Sequence, residues 1–171
     1  MCHEWAVVKR ILDERPFMIM PHDGLAYFQR GYIDNLAHLV FLAATRPEAA
    51  GQAFNAGDER VMSARQVAAV IVDELGSDME LIGMPAAYCR GVYPLAEKSC
   101  QILDMGKAKT LLGYRDVIDV EAATRLTARH LRDEPPRESD LREAGTGTFD
   151  YAQEDRLLER WRAAQALLEG G

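Results

Sequence analysis

The sequence predicts a mixed α/β fold. Short apolar runs at residues 17–20 and 79–84 have the length and composition of β-strands, and longer stretches between them carry apolar residues at helical spacing. Capping residues such as Ser63 and Asp119 mark where two of these helices begin. Strands that alternate with helices in this way are typical of α/β proteins, and 171 residues are enough to bury a core.

The first elements are read directly from apolar spacing and proline positions. A helix is predicted over residues 4–14, and Pro16 ends it because the residue before a proline is disfavoured in the α region. A strand follows at residues 17–20. Residues 21–24, Pro-His-Asp-Gly, are then predicted to form a turn, and a second strand is predicted over residues 25–33.

His22 and Asp23 in this turn admit two interpretations. Turn geometry alone explains Pro, Asp and Gly at these positions, and this favours a solvated turn. The alternative is that the imidazole and the carboxylate face a substrate. Both interpretations stay open at the level of sequence, with the solvated turn favoured.

The central stretch, residues 30–57, is predicted to form a strand end, a helix and a short strand. Asp34 is the expected cap of a helix that begins at Asn35, whose apolar face is formed by Leu36, Leu39, Val40 and Ala43. Gly51 to Phe54 is too short for another helix and is predicted to be a strand. The following Asn-Ala-Gly-Asp, residues 55–58, ends it with turn residues.

The next helix has the clearest start signal. Ser63 and Gln66 have the spacing of a capping box, and Gly76 is the expected stop. The strand at residues 79–84 follows and ends at Pro85. Residues 86–102 carry no clear pattern.

Two further helices are predicted before a proline pair. Asp104 is expected to cap a short helix that Gly113 stops, and Asp119 is expected to cap a helix that runs to about Asp133. His130 lies near the apolar stripe of the second helix. It is expected to be a packed histidine rather than a general base.

The carboxyl-terminal part is predicted to be organised in two pieces behind the main unit, residues 1–136. Residues 137–149 are charged and then rich in Gly and Thr, without periodicity, and are predicted to be a linker. Residues 150–171 are predicted to form an amphipathic helix that docks either on the main unit or on a partner.

Composition narrows the function classes. A net charge of −7 argues against non-specific nucleic-acid binding, which requires a basic surface. No apolar run approaches the roughly 20 residues of a membrane span and no signal peptide is apparent, so a cytoplasmic location is expected. Three cysteines without a C-x-x-C pair predict free thiols rather than a metal site.

Three motifs in order resemble one known family. They are R-G-Y-I-D-N-L-A at residues 30–37, G-Q-A-F-N-A-G-D at residues 51–58, and Leu103-Asp104 with Lys107-Ala108 and L-L-G-Y at residues 111–114. Over about residues 5–135 they resemble the carboxyl-terminal half of the NAD-dependent epimerase/dehydratase family, the extended short-chain dehydrogenases/reductases.

The resemblance implies the distal part of a Rossmann-type enzyme with its small substrate-binding α/β domain. The amino-terminal nucleotide-binding half would then be absent, because the sequence has neither the family's G-x-x-G-x-x-G loop nor its Tyr-x-x-x-Lys pair. The family further implies that the strand ending at Phe54 joins the nucleotide-binding sheet. The strand around Leu81 would belong to the substrate domain.

Candidate substrate contacts come from the same resemblance. Arg30 lies about two residues after an arginine that contacts substrate phosphates in the family's sugar-nucleotide members, and Phe28 takes that arginine's place. Arg90 and Tyr93 lie where the family often has substrate contacts, and for Arg90 a surface or interface position is the favoured alternative. Lys107 matches a family lysine of architectural role. No catalytic, cofactor-binding or metal-binding residue is predicted.

Two functions are consistent with these residues. The first is the carboxyl-terminal portion of an NAD-dependent oxidoreductase or isomerase that acts on a sugar nucleotide or another small hydroxylated substrate. NAD or NADP would serve the intact enzyme, and none is expected on this chain alone. The alternative is a non-catalytic module that pairs with a separate Rossmann half. In either case, apolar residues including Phe17, Ile19, Ile33 and Val40 predict a homo-oligomer or a partner Rossmann domain.

Overall fold

The computed structural model describes residues 3–89, 100–143 and 149–169. Helices and strands alternate along the chain, as the sequence predicts. In chain order the elements are α1 (His3–Leu12), β1 (Phe17–Pro21), α2 (Ile33–Thr45), α3 (Ala64–Glu74), β2 (Glu80–Met84), α4 (Ala86–Cys89), α5 (Gly106–Leu112), α6 (Val120–Asp133), α7 (Glu138–Glu143) and α8 (Tyr151–Glu169).

The two strands form a parallel pair at the centre of the fold. The register runs from Phe17 opposite Glu80 to Pro21 opposite Met84. Parallel strands need a long crossover, and here α2 and α3 lie in the connecting chain. Because side chains alternate along a strand, Met18 and Met20 lie on one face and Phe17 and Ile19 on the other.

Helices cover both faces of this pair. Met18 and Met20 pack in one buried cluster with residues of α1, α3 and α6, such as Val8 and Ile71. Phe17 and Ile19 pack in a second cluster with Leu157, Leu158 and Trp161 of α8. The sheet is therefore the middle layer of a three-layer arrangement.

Polar contacts fasten α8 to the α1–β1 corner. Arg10 of α1 and Glu154 of α8 form an ion pair in which both side chains are buried. Arg15 pairs with Asp155, and the Tyr151 hydroxyl donates a hydrogen bond to Asp13. The buried charges of Arg10 and Glu154 satisfy each other, and either charge would be costly to bury without its partner.

A third cluster lies away from the sheet, between α2 and α5. It contains Leu39, Leu42, Met105, Ala108, Leu112 and Tyr114, with Phe54 packed against it. This cluster packs residues of the second and third sequence motifs against α2, the helix that follows from the first motif.

The predicted helix signals are largely confirmed. Ser63 and Gln66 form the complete capping box of α3, and Asp119 accepts hydrogen bonds from the first turn of α6. Gly113 ends α5 with a φ of 64°, a left-handed conformation that favours glycine. Asp150 accepts a hydrogen bond from the Gln153 N–H at the start of α8.

The strand predicted at residues 25–33 is wrong. Within the described part of the chain, these residues make isolated bridges, Tyr27 with Ser63 and Phe28 with Gln101. Aromatic and β-branched residues favour extended backbone, but a strand also needs a continuous partner. The described chain offers this segment only single bridging residues.

The strand predicted at Gly51 to Phe54 is also wrong, because these residues are not in a strand and Phe54 packs on the α2–α5 cluster. The strand predicted around Leu81 is present as β2 and pairs with β1, and its assignment to a substrate domain stays a prediction. Phe17 and Ile19 were expected to form part of an exposed apolar surface, but α8 buries both of them.

Two aspartate caps differ from the prediction. Helix α2 begins at Ile33 with Tyr32 as its cap, so Asp34 already lies in the first turn. Asp104 accepts a hydrogen bond from the Gly106 N–H, while Met105 is the cap of α5.

Residues 137–149 were predicted to be a linker. They include α7, and Leu141 and Phe149 pack against the α1–α3–α6 cluster. Within the part of the chain that the structure describes, no helix has the length and hydropathy of a membrane span.

Candidate functional site

A pocket of about 470 Å³ opens beside Arg30. We call it the Arg30 pocket. Its walls come from the chain entering α2, from α6, from Glu4 of α1 and from Asp58. Its lining residues are Glu4, Arg30, Gly31, Tyr32, Ile33, Asp58, Val120, Ala123, Thr124, Leu126, Thr127 and His130. The size is within the usual range of small-molecule sites, and the walls combine an apolar helix face with a charged edge.

Arg30 is held in place by an ion pair. Its Nε lies 2.6 Å from Oε1 of Glu4, and its Nη1 donates a 3.4 Å hydrogen bond to the Phe28 carbonyl. Both charged side chains are mostly buried, with 18% of Arg30 and 14% of Glu4 exposed. The pair gives Arg30 a structural role, since it joins α1 to the chain before α2. An anionic ligand would have to share the guanidinium with Glu4.

Two threonines and a histidine line the α6 wall. The hydroxyl of Thr124 donates to the Val120 carbonyl across 2.7 Å, and that of Thr127 donates to the Ala123 carbonyl across 2.9 Å. His130 is not packed as predicted, because 64% of its side chain is exposed. It lies at the carboxyl-terminal end of α6, on the solvent side of the helix stripe.

Asp58 forms the floor of the pocket but is committed to the protein. It is buried, and its Oδ1 accepts hydrogen bonds from the Tyr32 N–H at 3.0 Å and from the Asn35 side chain at 2.8 Å. The Asp58 N–H donates to the Arg30 carbonyl across 2.7 Å. Asp58 therefore shapes the wall around Arg30 rather than offering a charge to a ligand.

Asn35 extends this network to the loop before α6. Its side-chain amide also donates to the Ile118 carbonyl at 2.9 Å, and its oxygen accepts from the N–H groups of Val117 and Ile118. Sequence reasoning missed Asn35 and Asp58 as partners. The available signal was their place in the motifs D-N-L-A and N-A-G-D, each of which contains two polar residues beside small or apolar ones.

The third motif joins the same network through Tyr114. Its hydroxyl donates to the carbonyl of Gly57, the neighbour of Asp58, at 3.3 Å and to Asp116 at 2.8 Å, and its ring is fully buried. Burial raises the pKa of the Tyr114 phenol, and the hydrogen bond to Asp116 raises this pKa further. Burial also raises the pKa of Asp116. A phenol held protonated in this way serves as a hydrogen-bond donor within the fold.

Glu59, a second carboxylate beside Asp116, is balanced by Lys109 and Arg115. Burial alone would raise the pKa of Glu59, but hydrogen bonds from the Asp116 N–H and from Lys109 outweigh it and lower the pKa. The Lys109 Nζ lies 3.1 Å from Glu59. The polar groups around Tyr114 therefore bond to one another and serve the fold.

The other residues named from the sequence lie elsewhere. Arg90 and Tyr93 are outside the described residues. His22 and Asp23 line a separate pocket with Gly83, Met84 and Pro85. Lys107 donates to the Ala53 carbonyl across 3.0 Å, which agrees with an architectural role. Among the described residues, no group of three His, Cys, Asp or Glu side chains could hold a metal ion.

Comparison with known sequences gives a limited match. No protein-family model matches the chain. The uncharacterized protein YbjS of Escherichia coli (strain K12) is 25% identical over 139 residues, which cover 68% of this chain and 41% of that protein. The chain therefore spans about two-fifths of this curated relative.

Solved structures give a clearer match in fold. A UDP-galactose 4-epimerase superposes with a TM-score of 0.59 at 16% identity, over 78% of this chain and 41% of its own. A UDP-glucose 4-epimerase from Thermotoga maritima, solved with UDP-glucose, has a TM-score of 0.56 at 24% identity over 75% and 38% of the two chains. DesIV, a dTDP-glucose 4,6-dehydratase from Streptomyces venezuelae with NAD bound, has a TM-score of 0.54 at 19% identity over the same shares.

These matches agree with the sequence motifs that Asn35, Asp58 and Tyr114 connect in space. At identities below one quarter, these superpositions show a shared fold alone, and each match covers part of the compared protein. The chain therefore has the fold of part of the NAD-dependent epimerases and dehydratases, the family that its sequence motifs resemble.

Proposed function

We propose that this chain is the carboxyl-terminal, substrate-binding part of an NAD-dependent epimerase/dehydratase-like oxidoreductase or isomerase. Its substrate would be a sugar nucleotide or another small hydroxylated molecule. The observation that carries the proposal is the match of 78% of the chain to a UDP-galactose 4-epimerase. The Arg30 pocket, with a mostly buried guanidinium at its edge, supports the substrate-binding part of the proposal.

The chemistry requires groups beyond these 171 residues. Hydride transfer needs a bound nicotinamide, and the family's acid/base chemistry needs a Tyr-x-x-x-Lys pair that the sequence lacks. The described residues do not fit the cofactor either. After β1 the chain enters the short His22–Gly24 turn, and after β2 it enters the four-residue helix α4. Neither is a glycine-rich turn leading into a long helix, the arrangement that receives a pyrophosphate.

Within this proposal the residues of the chain bind and orient the substrate. Arg30 presents a planar donor group at the mouth of the pocket, and Glu4 and Asp58 keep it there through the ion pair and the backbone contact. The apolar side of α6 would cover a ring or a base. NAD or NADP would bind to the complete assembly and not to this chain alone.

Two titrations test the proposal. UDP-glucose added to the isotope-labelled chain should shift the amide signals of residues 30–33 and of α6. NAD should give no measurable heat in isothermal titration calorimetry. A dissociation constant for NAD near the micromolar range corresponds to about −8 kcal/mol and requires a formed site, so it would contradict the cofactor part. Absence of shifts around Arg30 would contradict the substrate part.

The alternative function is a non-catalytic module that pairs with a separately encoded Rossmann half. One observation favours a partner that adds a strand to the edge of this sheet. The first four residues of β1 are buried, as in a central strand, yet among the described residues β1 pairs only with β2. A partner strand on the open edge would satisfy the backbone groups of β1.

Reading the coding DNA upstream of Met1 distinguishes the two functions. A continuous reading frame that encodes G-x-x-G-x-x-G supports the first function. A stop codon with a separate neighbouring gene for a Rossmann half supports the second.

A further inference from the structure

A second pocket lies at the carboxyl ends of both parallel strands. It has a volume of about 340 Å³ and is lined by His22, Asp23, Gly83, Met84 and Pro85. We call it the strand-end pocket. β1 ends at Pro21 and β2 at Met84, so the lining residues are the last residues of β2 and those that follow both strands. In open parallel sheets, ligands bind at this end because the loops there converge.

The turn that carries His22 and Asp23 has an unusual backbone. Three consecutive residues have positive φ: His22 at 50°, Asp23 at 56° and Gly24 at 71°. Only glycine adopts this conformation without cost, and a side-chain residue held there is uncommon. Such strain persists only where surrounding contacts enforce it, and it is frequent at ligand-binding sites.

Arg65 of α3 supplies the enforcing contacts. Its Nε donates to the Asp23 carbonyl across 2.8 Å, its Nη1 donates to the Leu81 carbonyl across 3.2 Å, and its Nη2 pairs with the Asp23 carboxylate. One guanidinium therefore ties the turn after β1 to the backbone of β2. The fork geometry of arginine suits this task, which lysine would not perform.

Glycine at position 83 allows the carboxylate to lie against the second strand. A Cβ on Gly83 would come within 2.1 Å of Oδ1 of Asp23. The close approach places the carboxylate directly over the end of β2. Arg65 and Gly83, far apart in sequence, thus fix the position of one exposed side chain.

The charges favour a neutral ligand with hydroxyl groups. Arg65 compensates the charge of Asp23, yet 61% of the Asp23 side chain is exposed and can be reached from solvent. A carboxylate accepts hydrogen bonds from hydroxyls, and the exposed His22 imidazole can donate or accept. An anion would gain little here because Asp23 already neutralises the arginine.

We propose that the strand-end pocket binds the hydroxyl-bearing, uncharged part of a substrate, with His22 and Asp23 in contact with it. The inference rests on the proposed function, because a small hydroxylated molecule is the substrate class in both. It assigns that part of the molecule to a place distinct from the Arg30 pocket.

The test uses D-glucose and myo-inositol as neutral probes and inorganic phosphate as the anionic comparison. Added to the labelled full chain, both neutral probes should shift the amide signals of residues 22–24 and 83, and phosphate should not. His22→Asn and Asp23→Asn should each raise the dissociation constant for D-glucose by about tenfold, the effect of one lost polar contact. Asparagine tolerates positive φ, so both variants keep the turn.

Asp73→Asn is the matched control. Asp73 is likewise an exposed aspartate paired with an arginine, Arg125 at 2.8 Å, but it lies outside both pockets. This variant should bind D-glucose as the unaltered chain does. Melting temperatures of all three variants verify folding, and if one variant unfolds, the other carries the test.

Three results would overturn the inference: shifts confined to other residues, phosphate shifts equal to those of D-glucose, or unchanged affinity in both asparagine variants. UDP-glucose separates this inference from the proposed function. Shifts around Arg30 without shifts around His22 overturn the strand-end site alone. Shifts around His22 without shifts around Arg30 support the strand-end site and contradict Arg30 as a substrate contact.

Discussion

The side-chain amide of Asn35 donates a 2.8 Å hydrogen bond to the carboxylate of Asp58, and both residues are buried. The contact joins the first turn of α2 to the turn after residue 57. It also explains why the two motifs occur together, because each supplies one partner of a polar pair inside the fold. A buried pair of this kind stabilises the fold only while both partners remain.

Replacement of Asn35 by alanine should destabilise the protein strongly. The Asn35 side chain satisfies Asp58, the Ile118 carbonyl and the N–H groups of Val117 and Ile118. Asn35→Ala would leave the buried Asp58 carboxylate and the part-buried backbone groups of residues 117–118 short of partners, at an expected cost of about 3 kcal/mol in the free energy of unfolding. Urea denaturation measures the loss.

Asn55→Ala is the control for this prediction. Asn55 is exposed and its side-chain amide donates one hydrogen bond, to the Asp104 carbonyl at 2.8 Å. The expected cost is below about 1 kcal/mol. Equal losses in the two variants would show that burial of the network contributes nothing.

Stability should fall at alkaline pH because of Tyr114. Burial and then the Asp116 hydrogen bond raise its pKa, and burial and then Asp13 raise the pKa of Tyr151. An unfolded tyrosine ionises near pH 10. Since the folded pKa is the higher one, this contribution to stability is fully present below about pH 10 and is lost as the pH rises above it. Urea denaturation over a series of pH values measures the slope.

Tyr114→Phe identifies the source of this pH dependence. It should reduce the alkaline slope, of which Tyr151 and the buried Cys89 thiol, whose pKa burial raises to about 11, account for the rest, and should cost about 1 kcal/mol at neutral pH through the lost hydrogen bonds. Tyr27→Phe, at an exposed ring, should keep the unaltered slope. The prediction fails if both variants show the same slope as the original chain.

Arg30→Lys separates binding from structure. In the complete enzyme that we propose, we expect kcat/KM to fall by about tenfold, equivalent to about 1.4 kcal/mol, because lysine lacks the planar fork. The melting temperature should change little, since the ammonium can still pair with Glu4. A large drop in melting temperature, with kcat/KM unchanged in the folded fraction, would assign Arg30 a purely structural role.

Self-association is expected through the outer face of α2. Ile33, Val40 and Phe41 are 68%, 67% and 62% exposed, and they lie opposite the buried Leu39 and Leu42. A helix that is apolar on both faces usually has both covered. Light scattering coupled to size-exclusion chromatography should detect a concentration-dependent dimer.

The double variant Val40→Gln with Phe41→Gln should shift this equilibrium toward monomer, whereas Leu167→Gln with Leu168→Gln, at the exposed end of α8, should leave it unchanged. A monomer of 19.1 kDa at every concentration, with no binding of a hydrophobic dye, would disprove self-association through this face.

The sequence predicted best those features that depend on neighbouring residues. The Ser63 and Asp119 caps and the Gly113 stop follow from contacts within one turn, and all three are present. The sequence also predicts β1 and β2 correctly, because a short apolar run that ends at a proline is more easily a strand than a helix.

The errors concern features that depend on distant partners. Residues 25–33 have the composition of a strand, but they find no continuous partner among the described residues. His130 lies near an apolar stripe in sequence, yet 64% of its side chain is exposed, because the packing of a residue at the edge of a stripe depends on which other elements reach it. The Asn35–Asp58 pair spans 23 residues, and no local rule indicates that two polar residues at that distance will meet.

The docking of α8 has a consequence for the order of folding during synthesis. Arg10 and Glu154 are 144 residues apart, and Phe17 and Ile19 lie under Leu157 and Leu158. On the ribosome, the face of β1 that carries Phe17 and Ile19 emerges well before α8, the helix that covers it. Contacts of such long range form slowly, and the uncovered apolar surface is prone to aggregate in the interval. Nascent chains that end before α8 should therefore depend on chaperones more than the finished chain does.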